Sequence, residues 1–381
     1  MKSNVLSYAD YQKKLQHLNS PEEIAAFAQE LIAPALVRLG QSSATETEEV
    51  EEEDTSVSVC KIPKLKMSRK TVMTNPWHDL VGNENDAMVI DLYAKGLTTR
   101  DIANYMRNNH GVEMSQPSVS AITDKVFPLV KEWQARPLSP CYPIIYLDGM
   151  HFKVREAGKI ASKCAYIALG VTPFGQKEIL GIWISETEGA KFWLSVLSDI
   201  KNRGVDDVLI VCVDGLKGFP DAIKTIYPKA EVQSCIVHQI RHTVMFIPHK
   251  DKEQFCIDLK KVYTAHNEEA GREALHEVMD RWPQYRSYLK SWEDRWADLA
   301  PFFSYPEPVR KTIYTTNTIE NLNRQFRKVT KTTVVFPHDD SLLKLLWLAQ
   351  TDLSNKWTMP VRNWGEAMAQ LTILFPDRVQ F

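Results

Sequence analysis

Two apolar runs, Tyr142 to Leu147 and Val208 to Val213, are rich in β-branched residues, and each gives way to the dipeptide Asp-Gly, at Asp148-Gly149 and at Asp214-Gly215. Runs of this length and texture read as buried strands. Any fold built on them must therefore carry two carboxylates beside its most apolar backbone. Asp-Gly is also a strong hairpin signal, so two readings stand: turn dipeptides, or carboxylates delivered to one place. After Gly149 the strand texture resumes as Met150-His151-Phe152-Lys153-Val154. Asp148 is thus expected within a strand, with Gly149 leaving room for the close approach of a ligand or backbone.

A third acid, Glu320, lies in the stretch Thr315 to Asn321, just ahead of a basic helical segment. Two carboxylates on neighbouring strands, joined by one returned on a distant helix, form the oxygen-rich ligand set that Mg²⁺ prefers, with Mn²⁺ as a substitute. Such a site suits two-metal phosphodiester chemistry. The helix after Glu320 carries Arg324, Arg327, Lys328 and Lys331 at three- and four-residue spacing, largely on one face. That face reads either as a DNA-backbone contact or as an ordinary solvated surface.

Around the acids the texture divides the chain. Residues 84 to 135 show helical periodicity, with Thr98 and Ser115 at N-cap positions and Gly96 closing the first helix. Helix, turn, helix, turn, helix is the layout of a helix-turn-helix; a plain helical bundle is the other reading. From Pro143 three β-rich runs, Ile144 to Val154, Cys164 to Thr172 and Glu178 to Ser185, predict an antiparallel meander. A helix from Ala190 to Asn202, the strand Val208 to Val213, a helix from Pro220 to Ile226 and a strand from Val232 to Ile236 follow. That order is the one found in ribonuclease-H-like α/β folds. Residues 239 to 311 predict an all-helical insertion holding Trp282, Trp292 and Trp296, before the helix with Glu320 completes the core. The expected divisions are an N-terminal segment 1–59, a basic arm and helix-turn-helix region 60–138, the first part of the core 139–238, the insertion 239–311 and the returning helices 312–381.

Charge is uneven. Residues 1–59 hold 4 basic and 11 acidic side chains, leaving 42 basic against 37 acidic in the rest. Ser42 to Asp54 reads as a solvated acidic linker, and Lys61, Lys64, Lys66, Arg69 and Lys70 make a short basic arm. No apolar stretch reaches membrane-spanning length and the N-terminus lacks a signal-peptide core, so a cytoplasmic, nucleoid-associated protein is expected. The six cysteines are scattered, and reduced, mostly buried thiols are the simplest account.

Cys235-Ile-Val-His238 has half of a zinc pattern, but without a paired partner no zinc is expected. Instead Cys235 is expected in the core at a strand end, with His238 either directed at a phosphate oxygen or Asp214, or serving as a structural histidine. Lys153, Arg155 and Arg241 are further candidate phosphate contacts. The tryptophans of the insertion are core residues by default; an exposed one would stack on an unpaired base.

Taken together, Tyr146 to Arg155, Ala168 to Pro173, Thr187 to Trp193, Val213 to Pro220, Cys235 to His238 and Tyr314 to Asn321 resemble bacterial insertion-sequence transposases of the Mutator-like family, in that order along the chain. The likeness runs from about residue 85 to the C-terminus, where Lys356 to Pro360 and Asn363-Trp364-Gly365 also match. It implies Asp148, Asp214 and Glu320 as a catalytic, metal-binding triad and Cys235 with His238 as a family signature. It also implies Mg²⁺-dependent cleavage and strand transfer at terminal inverted repeats, a ribonuclease-H-like core, and a dimer or larger assembly on double-stranded DNA. The acidic run ahead of residue 60 and the stretch Thr332 to Phe336 depart from the family pattern. Two other readings compete: a non-catalytic DNA-binding repressor, and a structure-specific repair nuclease.

Overall fold

A computed structural model describes residues 77–186, 189–215, 218–314 and 317–379. The expected N-terminal helices, acidic run and basic arm lie outside these residues. At the centre is a five-stranded mixed sheet in the order β3-β2-β1-β4-β5. Strands β1 (Cys141–Glu156), β2 (Lys159–Val171) and β3 (Lys177–Ser185) form an antiparallel meander, and β4 (Asp207–Val213) and β5 (Glu231–Ser234) add in parallel beyond β1. Among the described residues five helices precede the sheet: α1 (His78–Val81), α2 (Glu84–Ala94), α3 (Thr99–His110), α4 (Gln116–Asp124) and α5 (Phe127–Ala135). Within it, α6 (Ala190–Asn202) joins β3 to β4 and α7 (Phe219–Ile226) joins β4 to β5.

Alternation along β1 divides the core between the two faces of the sheet. Ile144, Tyr146, Met150 and Val154 join one apolar cluster, which also takes in residues of α2, α3 and α4. Ile145 and Leu147 join another, built with Trp193, Val196, Leu197 and Ile200 of α6 and Phe219 and Ile223 of α7. The helices before the sheet therefore share a core with it. Lys344, 2% exposed, reinforces the join by donating to Thr123 Oγ1 at 2.8 Å and Asp124 Oδ1 at 2.6 Å at the end of α4. Thr98 and Ser115 cap α3 and α4 as the sequence predicts, the former in a reciprocal capping box with Asp101.

After β5 the chain is helical: α8 (Ile236–Val244), α9 (His249–Thr264), α10 (Glu268–Arg281), α11 (Arg286–Asp294) and α12 (Trp296–Leu299), then α13 (Glu307–Tyr314), α14 (Asn317–Thr330), α15 (Asp339–Ser354) and α16 (Trp364–Leu374). Helices α8 to α12 enclose a third apolar cluster that includes Phe255, Leu259, Leu275 and Leu289. Trp292 and Trp296 are buried in it and Trp282 packs half-buried against it. Their indole N–H groups donate to Asp258 (Trp282), Thr243 (Trp292) and Glu268 (Trp296). All three are packing residues, and none is an exposed platform for a base. No helix among the described residues is long and apolar enough to cross a membrane.

Two boundaries differ from the sequence reading. The β1–β2 hairpin runs on to a two-residue turn at Ala157-Gly158, with φ of 46° and 79°. Its outer half is polar because it projects beyond the apolar layers, so it lacks the burial signal used to read strands. Strand β5 stops at Ser234 and not at Ile236, because Cys235 is the N-cap of α8 and its sulfur accepts a hydrogen bond from the His238 N–H at 3.4 Å.

Gly96 closes α2 with φ +87°, and a Cβ there would fall 2.2 Å from the Val329 carbonyl oxygen of α14. Gly111 closes α3 with φ +65° but faces open space. Gly111→Ala is expected to cost about 1 kcal/mol, the penalty of the left-handed backbone alone. Gly96→Ala should cost about 3 kcal/mol, since a backbone clash is added. Urea unfolding midpoints of the two variants measure the difference; equal losses would mean that α2 and α14 do not approach so closely.

Candidate active site

The two strand-borne acids meet because of register. In the parallel β1–β4 ladder Ile145 pairs with Val211, Tyr146 with Cys212 and Leu147 with Val213. The next residue on each chain is aspartate. Parallel neighbours lie about 4.8 Å apart, so Asp148 and Asp214 arrive side by side at the carboxyl end of β4. Both line one small pocket, together with Cys235, His238 and Ile319.

Asp148 stands inside β1, 6% exposed. Its Oδ1 accepts from the Gly149 N–H at 2.9 Å, and its Oδ2 accepts from the Asn323 side-chain amide. Burial pushes its pKa up to about 6, and the Asp214 charge adds to this, while His238 and the two hydrogen bonds oppose it. Asp214 has one carboxylate oxygen, Oδ1, buried without a hydrogen-bond partner. A buried carboxylate driven toward protonation, beside another with an unsatisfied oxygen, is a pair that a divalent cation would satisfy. The donor set thus fits a metal at these two residues.

Helix α8 brings the next groups. The Cys235 N–H donates to the Val213 carbonyl at 2.7 Å, carrying the ladder one residue beyond β5. With Cys235 as the cap, His238 turns into the pocket. The Cys235 sulfur, and then the charges of Asp148 and Asp214, push His238 up to about 9 against the opposing cost of its burial. These neighbours favour the protonated ring, and its Nδ1 is buried without a partner. Three residues further on, Arg241 meets Glu320: Nη2 donates to Oε2 at 2.8 Å and Nη1 lies 2.8 Å from Oε1.

Glu320 lies in the first turn of α14, whose Ile319, Leu322 and Phe326 are buried in the core. The third acid therefore stands on the helix that crosses the pocket, but its carboxylate is held by Arg241. Among the described residues no three His, Cys, Asp or Glu side chains are gathered at metal-holding spacing. Arg324, Arg327, Lys328 and Lys331 are exposed. Lys153 and Arg155 are also exposed, but they alternate with Phe152 and Val154, which pack with the cluster that α14 covers. They point to the opposite face of the hairpin from α14, so the structure does not join these two basic groups into one surface.

Two residues escaped sequence reasoning. Asn323 is 4% exposed and bonds Asp148 while its own Oδ1 is buried and unpartnered. Its spacing of three from Glu320 on one helix was the available signal. Arg295, from the helical insertion, donates to Gln239 Oε1 at 3.1 Å and Ser234 Oγ at 3.3 Å. It lies so close to Gly215 that a Cβ there would fall 1.9 Å from its Nη1. Nothing in the sequence around residue 295 signals that role.

The raised pKa of Asp148 sets a sign for stability. Its folded value of about 6 exceeds the 3.8 of an ordinary aspartate, so the folded state holds the proton longer and stability is lost as pH rises between these values. Asp148→Asn removes that cost, and the Asn323 amide can flip to offer its free oxygen to the new amide. Metal-free Asp148→Asn is expected to be more stable than wild type by about 2–3 kcal/mol above pH 7, with the two converging near pH 4. Denaturant titrations at several pH values check this. A variant less stable than wild type at pH 8 would contradict the burial argument.

The family described as "Transposase, Mutator family" matches residues 80–360. The chain is 43% identical over 295 residues to the transposase for insertion sequence element ISRM3 of Rhizobium meliloti (strain 1021), covering 77% of this chain and 74% of the relative. It is 39% identical over 316 residues to a probable transposase for an insertion sequence element of Corynebacterium diphtheriae, covering 77% and 92% of the two chains. Among solved structures, the Drosophila P element transposase strand transfer complex aligns over 80% of this chain and 89% of that one, at 10% identity and a TM-score of 0.34. That score is too low for the likeness to carry an argument.

Proposed function

The chain belongs to the Mutator family of transposases, enzymes of DNA transposition, and on that premise we propose that Asp148, Asp214 and Glu320 form its catalytic triad. The reaction is divalent-metal-dependent cleavage of its element's ends and strand transfer into target DNA. The observation that carries this reading is the register of β1 against β4, which ranks Asp148 with Asp214 beside an unsatisfied buried carboxylate oxygen. The strand order β3-β2-β1-β4-β5 supports a ribonuclease-H-like core, with residues 239–311 as its helical insertion.

Asp148 and Asp214 would hold the metal, with Glu320 completing the set once freed from Arg241. Bound there, Mg²⁺ or Mn²⁺ would activate an attacking water or 3′-hydroxyl and neutralise charge on the leaving oxygen. The chain's own residues do the rest. Asn323 fixes the orientation of the Asp148 carboxylate. His238, which lines the pocket and is favoured in its protonated form, donates to a non-bridging phosphate oxygen. The exposed cations of α14 hold the DNA backbone, and α2 to α4 act as the helix-turn-helix that selects the terminal inverted repeats, α4 being the recognition helix. The divisions at residues 59, 138, 238 and 311 mark the proposed parts, and the enzyme works as a dimer or larger assembly on DNA.

Asp148→Asn, Asp214→Asn and Glu320→Gln are each expected to lower strand cleavage about a thousandfold or more, about 4 kcal/mol of transition-state stabilisation. Measured without metal, the DNA affinity of the two aspartate variants should stay within about threefold, because neither is a phosphate donor. Cleavage mapped on a duplex carrying the element's ends, alongside a binding isotherm, separates the two effects. Mg²⁺-dependent cleavage retained by any one variant removes that residue from the triad.

A further inference from the structure

The strand acids and the helix acid are not held alike. Asp148 and Asp214 share a pocket, whereas Glu320 Oε2 accepts a hydrogen bond from Arg241 Nη2 and Nη1 lies 2.8 Å from Oε1, itself buried without a hydrogen-bond partner. The clasp is lopsided in exposure. The Glu320 side chain is 13% exposed and that of Arg241 is 56% exposed. A guanidinium has five N–H donors in a planar fork, so most of this group faces solvent with donors to spare, on the helix that also delivers His238 to the pocket. The acid has no such freedom. If Arg241 leaves, a mostly buried carboxylate is stranded, and that is costly unless another cation takes its place.

From this we infer that Arg241 is a positioning residue that couples DNA to the metal site. Without DNA it occupies Glu320. A backbone phosphate of the incoming duplex, which matches the same planar fork, draws the guanidinium outward and leaves Glu320 to the metal. The exchange is balanced in charge: one anion on Arg241 is replaced by another, and the carboxylate passes from an organic cation to an inorganic one. DNA and metal should then bind cooperatively, and linkage requires that each tighten the other by the same factor. The inference rests on the triad reading above and adds what makes the third ligand conditional.

The test measures binding and not turnover. Free Mn²⁺ is followed by its electron paramagnetic resonance signal during titration of the full chain, with and without a duplex cut from the element's ends, DNA-only blanks being subtracted. The reciprocal quantity, duplex affinity by fluorescence anisotropy, is measured with and without Ca²⁺ as an unreactive hard cation. Wild type should bind the metal about 5- to 150-fold more tightly when DNA is present, and DNA more tightly by a matching factor when metal is present. Arg241→Gln should bind Mn²⁺ several-fold more tightly than wild type in the absence of DNA and show little further gain when DNA is added. Arg241→Lys, which keeps the charge but not the fork, should fall between them. A purely structural arginine would instead weaken metal binding equally with and without DNA once removed. Metal affinity indifferent to DNA in wild type, or coupling intact in Arg241→Gln, overturns the inference while leaving the triad standing. Absence of Mn²⁺ binding even with DNA overturns the triad and this inference together.

Discussion

The parallel pairing of β1 with β4 is the constraint on which the other parts depend. Had the ladder slipped by one residue, Asp148 would face Val213 or Gly215 and its partner acid would turn to the other side of the sheet. The register is held by burial on both faces: Tyr146 and Cys212 on one side, Leu147 and Val213 on the other. The same ladder sets what comes next. Cys235 continues it through the Val213 carbonyl, caps α8 with its sulfur, and so fixes where His238 and Arg241 stand. Strand pairing thus positions a helix as well as two carboxylates.

The pocket also gathers polar atoms that the fold leaves unsatisfied. Asp214 Oδ1 and His238 Nδ1 belong to residues that line it, and Asn323 Oδ1 and Glu320 Oε1 to the helix beside it; all four atoms are buried without hydrogen-bond partners. Native structures tolerate few such atoms, and their clustering marks a place where the chain is not built for its own stability. The raised pKa of Asp148 has the same origin, since burial without a full set of donors disfavours its charged form. A divalent cation would satisfy the unpartnered carboxylate oxygen, and an anion such as a phosphate the His238 ring, which makes the local cost intelligible as preparation for ligand.

The part of this that was legible in the sequence is the part carried by local pattern. Apolar β-branched runs gave the strands, cap residues Thr98 and Ser115 gave the helix starts, and texture resuming after Gly149 placed Asp148 within a strand. The outer hairpin was not legible, because strands that leave the core lose the alternation by which they are read. Nor was the end of β5: a cysteine sulfur acting as an N-cap has no place among the usual capping residues. Lys153 and Arg155 read as candidate phosphate contacts, but the strand alternation that turns them away from α14 shows only once the packing of Phe152 and Val154 is known. Arg295 reaches Gly215 from far along the chain, a tertiary contact with no local signature.

The segment of helices α9 to α13 separates α8 from α14, the two helices whose residues stand beside the strand acids, and a flexible link of that length would leave their spacing to chance. It is not flexible in composition or packing: Phe255, Leu259, Leu275, Leu289 and Trp292 form its own apolar core, and three indole N–H groups are tied down within it. Each bounding helix then presents two groups three residues apart, His238 and Arg241 on one, Glu320 and Asn323 on the other. On each helix one group turns to the strand acids and the other to its opposite number. Asn323 ties α14 to Asp148, and Arg295 ties its helices to Gln239 and Ser234 beside Gly215. The contact between Arg241 and Glu320 differs from these in that its arginine is 56% exposed, so water and a polyanion can both compete for it.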